Sequence, residues 1–215
     1  MNDTADSRRI ITDGYDRMGS SFSEWNAARP SEGRRWFLGE VLARLPEGSA
    51  VLELGCGPGT DAVELSAGRR YVGVDLSRVQ LSIAQERAPT ATFVVGDLSS
   101  ITFRPASFDG IVAFNVFNHV PLHEVEPAFT AAFEWLRTGG LLMLAALPTM
   151  EAEDRVEEWL DVPMFFAGIE PRFHEGALRR VGFEIELSEI RFPTQEWWGR
   201  NEPLWIIARK PLDDD

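Results

Sequence analysis

At 215 residues the chain has room for one domain with a full hydrophobic core and too little for two comfortable ones. A composition of 44% hydrophobic and 26% charged residues excludes global disorder, and a net charge of −13 opposes nucleic acid and anionic membrane as partners. The single cysteine, Cys56, excludes an intrachain disulfide and a multi-thiolate zinc site.

Residues 1–9 are polar and lack the apolar stretch of a secretion signal. No run approaches the roughly 20 apolar residues of a membrane span, so the expected compartment is the cytoplasm. Scattered aromatics (Tyr15, Phe22, Trp25) before Pro30 predict a partly helical arm. From Ser31 the stripe Phe37, Leu38, Val41, Leu42 and Leu45 predicts a helix stopped by Pro46 and Gly48, so 1–47 reads as an N-terminal helical arm or cap. Over 48–147 the apolar runs Val51–Leu54, Tyr71–Val74, Thr92–Val95, Gly110–Phe114 and Leu141–Leu147 predict strands buried on both faces of a parallel sheet. Helices are expected between them. The clearest sets Val125, Phe129, Phe133 and Leu136 on one face, with Pro127 near its first turn, and is expected to reach Gly139-Gly140. Residues 148–173, rich in acids around an apolar knot, depart from this pattern and predict a lid-like insertion. Over 174–210 a helix His174–Val181 precedes strands Phe183–Phe192 and Leu204–Ala208. Their connection of about eleven residues is too short for a parallel crossover, so the last strand is expected to be antiparallel. Trp197-Trp198 reads as hairpin packing or a subunit contact, and 211–215 as an acidic tail. The expected architecture is a single α/β domain over 1–215: a Rossmann-like, seven-stranded, mostly parallel sheet with an antiparallel last strand and helices on both faces.

The chemistry concentrates at three strand ends. In Val51-Leu-Glu-Leu-Gly-Cys-Gly-Pro-Gly-Thr60 a strand runs into a glycine-rich turn, where Gly55, Gly57 and Gly59 let backbone approach a ligand. The order G-x-G-x-G differs from the dinucleotide fingerprint G-x-G-x-x-G. Asp75, twenty residues past Gly55, is placed to accept both hydroxyls of a ribose, while Ser77 better serves as cap of the next helix. Asp97 ends the third strand and suits an exocyclic amine such as that of adenine. A tight turn explains the glycines alone, and either acid alone fits a surface turn. Together they converge on one crevice and imply a nucleoside-type cofactor.

The run just quoted, with Gly73-Val-Asp75-Leu-Ser, Gly96-Asp97-Leu, Ser107-Phe-Asp-Gly-Ile and Trp135-Leu-Arg-Thr-Gly-Gly-Leu-Leu, resembles the ordered motifs of class I S-adenosylmethionine-dependent methyltransferases from about Tyr15 to Arg209. Trp159-Leu-Asp-Val-Pro-Met-Phe-Phe and Leu178-Arg-Arg-Val-Gly-Phe are similar to a bacterial small-molecule subgroup. The resemblance implies S-adenosylmethionine as cofactor. It places Glu53 and the turn Gly55, Cys56, Gly57 and Gly59 at the methionine moiety, Asp75 at the ribose, and Leu76 on the adenine face. Asp97 and the Leu98 N–H fall at the adenine edge, and Asn115 beside the sulfonium. Tyr15 belongs to an arm of the family type Tyr-Asp-x-x-x-x-x-Tyr, whose second tyrosine is Phe22 here; Arg29 either meets the cofactor carboxylate or is an exposed surface residue.

His119, just past the fourth strand, is the candidate general base, with a cofactor-shelf or structural role as the alternative. His123 and His174 read as surface residues, and the three histidines suggest no metal. Phe117, Trp159, Met164, Phe165 and Phe166 are the candidate acceptor-binding side chains; an ordinary cluster pinning a long connection explains the last four equally well. The expected reaction is methyl transfer to oxygen, nitrogen or carbon of a small molecule, with no nucleic acid or membrane partner and the oligomeric state left open. Nicotinamide-dependent oxidoreduction and an inactive cofactor-binding or interaction domain are the alternatives.

Overall fold

Side chains alternate across a strand, and that alternation sets the layers of this molecule. In β4 (Phe108–Phe114), Ile111 and Ala113 face one core while Val112 and Phe114 face another. The first core is covered by α6 (Leu122–Trp135) and α7 (Pro171–Val181) through Val125, Phe129, Ala132 and Leu178. The second is covered by α3 (Glu32–Arg44) and α4 (Ala62–Ser66) through Phe37, Val41 and Leu65. Each such fully buried side chain contributes about 1.5–3 kcal/mol. The structure is a computed structural model and describes residues 4–29, 31–146, 153–167, 171–192, 194–196, 199–201 and 203–212.

The seven-stranded sheet contains β1 (Ala50–Leu54), β2 (Arg70–Asp75), β3 (Thr92–Val95), β4, β5 (Leu136–Ala146), β8 (Glu184–Ile190) and β11 (Leu204–Arg209), in the order β3-β2-β1-β4-β5-β11-β8. Only β11 runs antiparallel to its neighbours, as its short connection requires. Chain order reverses at β1, between β2 and β4, which opens a crevice at the carboxyl ends of those strands.

Three elements differ from expectation. Helix α6 stops at Trp135 instead of Gly139, and Leu136 turns extended to start β5 while staying fully buried. The last turn is drawn off by other partners. The carbonyls of Glu134 and Trp135 accept from Ala106 and Ser107 N–H, and Lys210 Nζ donates to the carbonyls of Phe133 and Leu136. The 148–173 insertion contains an antiparallel hairpin of β6 (Glu153–Trp159) and β7 (Val162–Ala167); 147–152 and 168–170 lie outside the described residues. A second small hairpin, β9 (Thr194–Glu196) with β10 (Gly199–Asn201), precedes β11; Trp197-Trp198 and the acidic tail from 213 onward also lie outside.

The arm consists of α1 (Thr4–Met18) and α2 (Ser20–Ala27), broken at Gly19 by its left-handed φ of 50°. Hairpin and arm pack together, with Ile11 and Met18 against Val162, Met164 and Phe165. His174 is not a surface residue. It is 1% exposed, packed near the rings of Phe117, Phe129 and Phe173, and burial pushes its pKa down to about 4. His123 is exposed, as expected.

Candidate functional site

The crevice is built from the glycine turn outward. Gly57 has a φ of 53°, a left-handed backbone that favours glycine, and a Cβ there would meet only Phe22 at 3.9 Å, on the open side of the turn. Its N–H donates to Asp75 Oδ2 at 2.8 Å, while Asp75 Oδ1 accepts from Ser77 N–H at 2.9 Å. Ser77 also caps α5 (Arg78–Arg87) by accepting from Gln80 N–H, so the helix has its cap without Asp75. Burial raises the pKa of Asp75 while the amide bonds oppose that rise.

Asn115, at the end of β4, holds a left-handed φ of 59°, uncommon for a residue with a side chain. Its N–H donates to the Ala145 carbonyl, whereas its Oδ1 is buried without a hydrogen-bond partner. A buried acceptor left unpaired costs about 1–3 kcal/mol, so this position suits a ligand that supplies a donor or a positive edge. Arg34 reaches the same wall from the first turn of α3. It donates to Asp61 Oδ2 from Nε at 2.9 Å and Nη2 at 2.5 Å, and its guanidinium lies 4.6 Å from the Phe114 ring centre. At the other end, Arg8 of α1 spans the mouth. Its Nε meets Asp97 Oδ2 at 2.6 Å, and its Nη2 reaches Glu124 Oε1 and Ser99 Oγ, each at 2.6 Å.

Tyr15 and His119 form a pair under the arm. His119 Nδ1 lies 2.7 Å from the Phe165 carbonyl, which can only accept, so Nδ1 carries the proton. Nε2 therefore accepts, and the Tyr15 hydroxyl donates to it at 2.9 Å. Burial pushes the His119 pKa down to about 4 against the raising effect of the Phe165 carbonyl. Burial and the nearby Asp75 charge push the Tyr15 hydroxyl up. Over this pair stand Phe22, Trp25, Trp159 and Phe166; the Trp159 ring centre lies 6.1 Å from those of Tyr15, Phe22 and Trp25, and 5.4 Å from Phe166.

Of the residues singled out in the sequence, Tyr15, Gly55, Cys56, Gly57, Asp75, Leu76, Asp97, Leu98, Asn115, His119, Trp159 and Phe166 line this one cleft. Others sit elsewhere. Glu53 lies behind the turn, 1% exposed, where it accepts from the Tyr71 hydroxyl; burial, then the charge of Asp61, raises its pKa to about 8. Gly59 allows close packing instead of ligand approach, since a Cβ there would stand 2.9 Å from Ala84 Cβ. Phe117 is fully buried against Phe129, and Met164 and Phe165 are buried against the arm, so these three are core and not cleft wall. Arg29 is exposed and stacks on Trp25 at 4.7 Å. The sequence reading missed Arg8, Arg34 and Glu124. Among the described residues no group of three or more histidine, cysteine or acidic side chains is arranged to hold a metal.

A family described as a methyltransferase domain matches residues 51–140, from β1 into β5. The trans-aconitate 2-methyltransferase of Variovorax paradoxus (strain S110) is 37% identical over 131 residues, covering 56% of this chain and 49% of that protein. This chain thus spans about half the length of that relative. The O-methyltransferase rstn1 of Aspergillus nomiae is 28% identical over 169 residues, covering 72% of each. Among solved structures, the DhpI–SAH complex superposes with a TM-score of 0.75 at 17% identity, over 95% of this chain and 97% of that one, a likeness of fold.

Proposed function

We propose that this chain is a class I S-adenosylmethionine-dependent methyltransferase, as the methyltransferase-domain match over 51–140 and the methyltransferase relatives support, and that it transfers a methyl group from that cofactor to an oxygen, nitrogen or carbon atom of a small molecule. One observation carries the reading: the ends of β1, β2, β3 and β4 present the open turn at Gly57, Asp75, Asp97 and the unpaired Asn115 Oδ1 to a single cleft. These groups fit the cofactor. Asp75 would hold the ribose hydroxyls, with Leu76 on the adenine face and Asp97 with the Leu98 N–H on the adenine edge. Arg34, with its guanidinium on the cleft wall, would meet the methionine carboxylate. Asn115 Oδ1 would face the positive end of the methionine moiety.

The cofactor supplies a methyl group on a sulfonium, an electrophile with its own leaving group. The chain's task is to orient the partners and exclude water, and orientation alone is worth about 7–11 kcal/mol. The arm and the hairpin roof supply the exclusion. Where the acceptor is a hydroxyl, Tyr15 is placed to receive its proton while passing its own to His119 Nε2. His119, held to about 4, is a weak base, so this relay ranks below positioning. A net charge of −13 supports a small molecule over nucleic acid as acceptor. Cytoplasmic residence is supported by the lone cysteine and by the finding that no helix among the described residues is long and apolar enough to cross a membrane. A nicotinamide-dependent reading has less support, given a G-x-G-x-G turn where the fingerprint has G-x-G-x-x-G and given the antiparallel β11.

The test is calorimetry with S-adenosylmethionine and its demethylated product, then a screen of acceptors with labelled methyl donor and mass detection. Micromolar binding and a mass gain of one methyl group are expected. The absence of both heat and thermal shift with either ligand would sink the reading.

A further inference from the structure

The part of the cleft not required by the cofactor has an unusual charge inventory. Among the described residues that line the whole cleft, the basic side chains are Arg8, Arg34 and His119. Arg8 is committed to two carboxylates, Asp97 and Glu124, and Arg34, beside Asp61, is the residue assigned above to the cofactor's methionine carboxylate. His119 is neutral, with one ring nitrogen on a carbonyl and the other on a hydroxyl. Among the described residues that line the cleft, no uncommitted cation would therefore meet an acceptor carboxylate leaving water, a penalty that buried charges do not escape without a partner.

What the roof offers instead is ring faces. Tyr15, Phe22, Trp25, Trp159 and Phe166 all line the cleft, drawn from both ends of the chain. Trp159 touches the other four. Its position is held against local preference, since the hairpin turn that follows puts Leu160 (φ 50°) and Asp161 (φ 65°) in left-handed backbone without glycine. Aromatic faces carry negative quadrupole charge, which attracts ring edges and cations and disfavours carboxylates. Arg29, stacked on Trp25, shows a cation taking such a face in this roof.

We propose that the methyl acceptor is a ring-bearing small molecule, neutral or cationic, that inserts beneath Trp159, and that carboxylate acceptors are rejected. The proposal rests on the methyltransferase reading. It is tested by ligand-observed NMR on the full chain saturated with S-adenosylhomocysteine, with four probes: indole, tryptamine, indole-3-acetate and the tricarboxylate trans-aconitate. Indole and tryptamine are expected to bind at least tenfold more tightly than the two anions. Trp159→Leu should weaken ring binding at least fivefold and leave S-adenosylhomocysteine affinity within twofold. Equal or tighter binding of either anion overturns the proposal, as does the absence of ring binding to the loaded protein or ring affinity unchanged in Trp159→Leu. The wild-type ranking decides the matter even if that variant fails to fold. Failure of S-adenosylhomocysteine itself to bind strikes the methyltransferase reading instead, and the acceptor class falls with it.

Discussion

Asp75 makes two amide hydrogen bonds that fix its carboxylate at the end of β2 before any ligand arrives. Asp75→Ala should weaken S-adenosylmethionine binding at least tenfold, about 1.4 kcal/mol, as read by calorimetry. His119→Asn keeps hydrogen-bonding capacity without titrating. With a hydroxyl acceptor it should lower kcat by one to a few powers of ten; with a free amine it should change kcat little. Because burial holds His119 down to about 4, the wild-type rate should stay level toward pH 5 and fall near 4, a limb absent from the variant. These residues were legible because each sits in a short motif at a strand end. Arg34 and Arg8 were not. Their partners lie 27 and 116 residues away, so only the closed fold brings them together.

Elements carry the roof. The hairpin β6–β7 was invisible as strands because Glu153-Asp-Arg-Val-Glu-Glu-Trp159 shows acids where an alternating pattern needs apolar residues. Its apolar partner run read equally as acceptor wall or as an ordinary cluster pinning a long connection, and Met164 and Phe165 pack against the arm as in the second reading. Helix α6 was overrun for the opposite reason: Leu136 continues the helical stripe, but the captured carbonyls around it end the helix. At the arm's far end, Arg8 ties α1 to Asp97, Ser99 and Glu124. Arg8→Met should free that end. S-adenosylhomocysteine should then dissociate several-fold faster in stopped-flow, and limited proteolysis within 4–29 should quicken. Added salt should speed dissociation from the wild type more than from the variant, because these partly exposed ion pairs are screened. An unchanged dissociation rate would mean that the arm's other contacts hold it without the Arg8 ion pairs.

For the whole molecule, the seven-stranded, mostly parallel sheet and the antiparallel last strand were legible from apolar runs and connection length, but the burial of a polar group under α7 was not. His174 read as a helix-start surface residue, because sequence cannot show that α7 lays that face onto Phe117 and Phe129. The consequence is a pH dependence of stability whose sign follows from linkage. Both ring nitrogens of His174 are buried without hydrogen-bond partners, and its pKa falls from 6.5 to about 4. Above pH 6.5 neither the folded nor the unfolded state holds the proton, and the stability is fully present. Between 6.5 and about 4 the unfolded state takes up a proton that the folded state refuses, so stability falls by about 1.4 kcal/mol per pH unit. His119 acts in the same direction. Glu53 acts oppositely, because its pKa is raised from 4.5 to about 8 and acid favours its folded, protonated form. The total curve mixes these terms, whereas the difference between wild type and His174→Phe isolates one. Any constant packing change from the larger ring cancels when that difference is compared across pH. Urea unfolding at about pH 7.5 and about pH 5 should show the difference moving in the variant's favour by roughly 2 kcal/mol at the lower pH. A difference equal at both values would mean that His174 is protonated as readily in the folded chain as in the unfolded one.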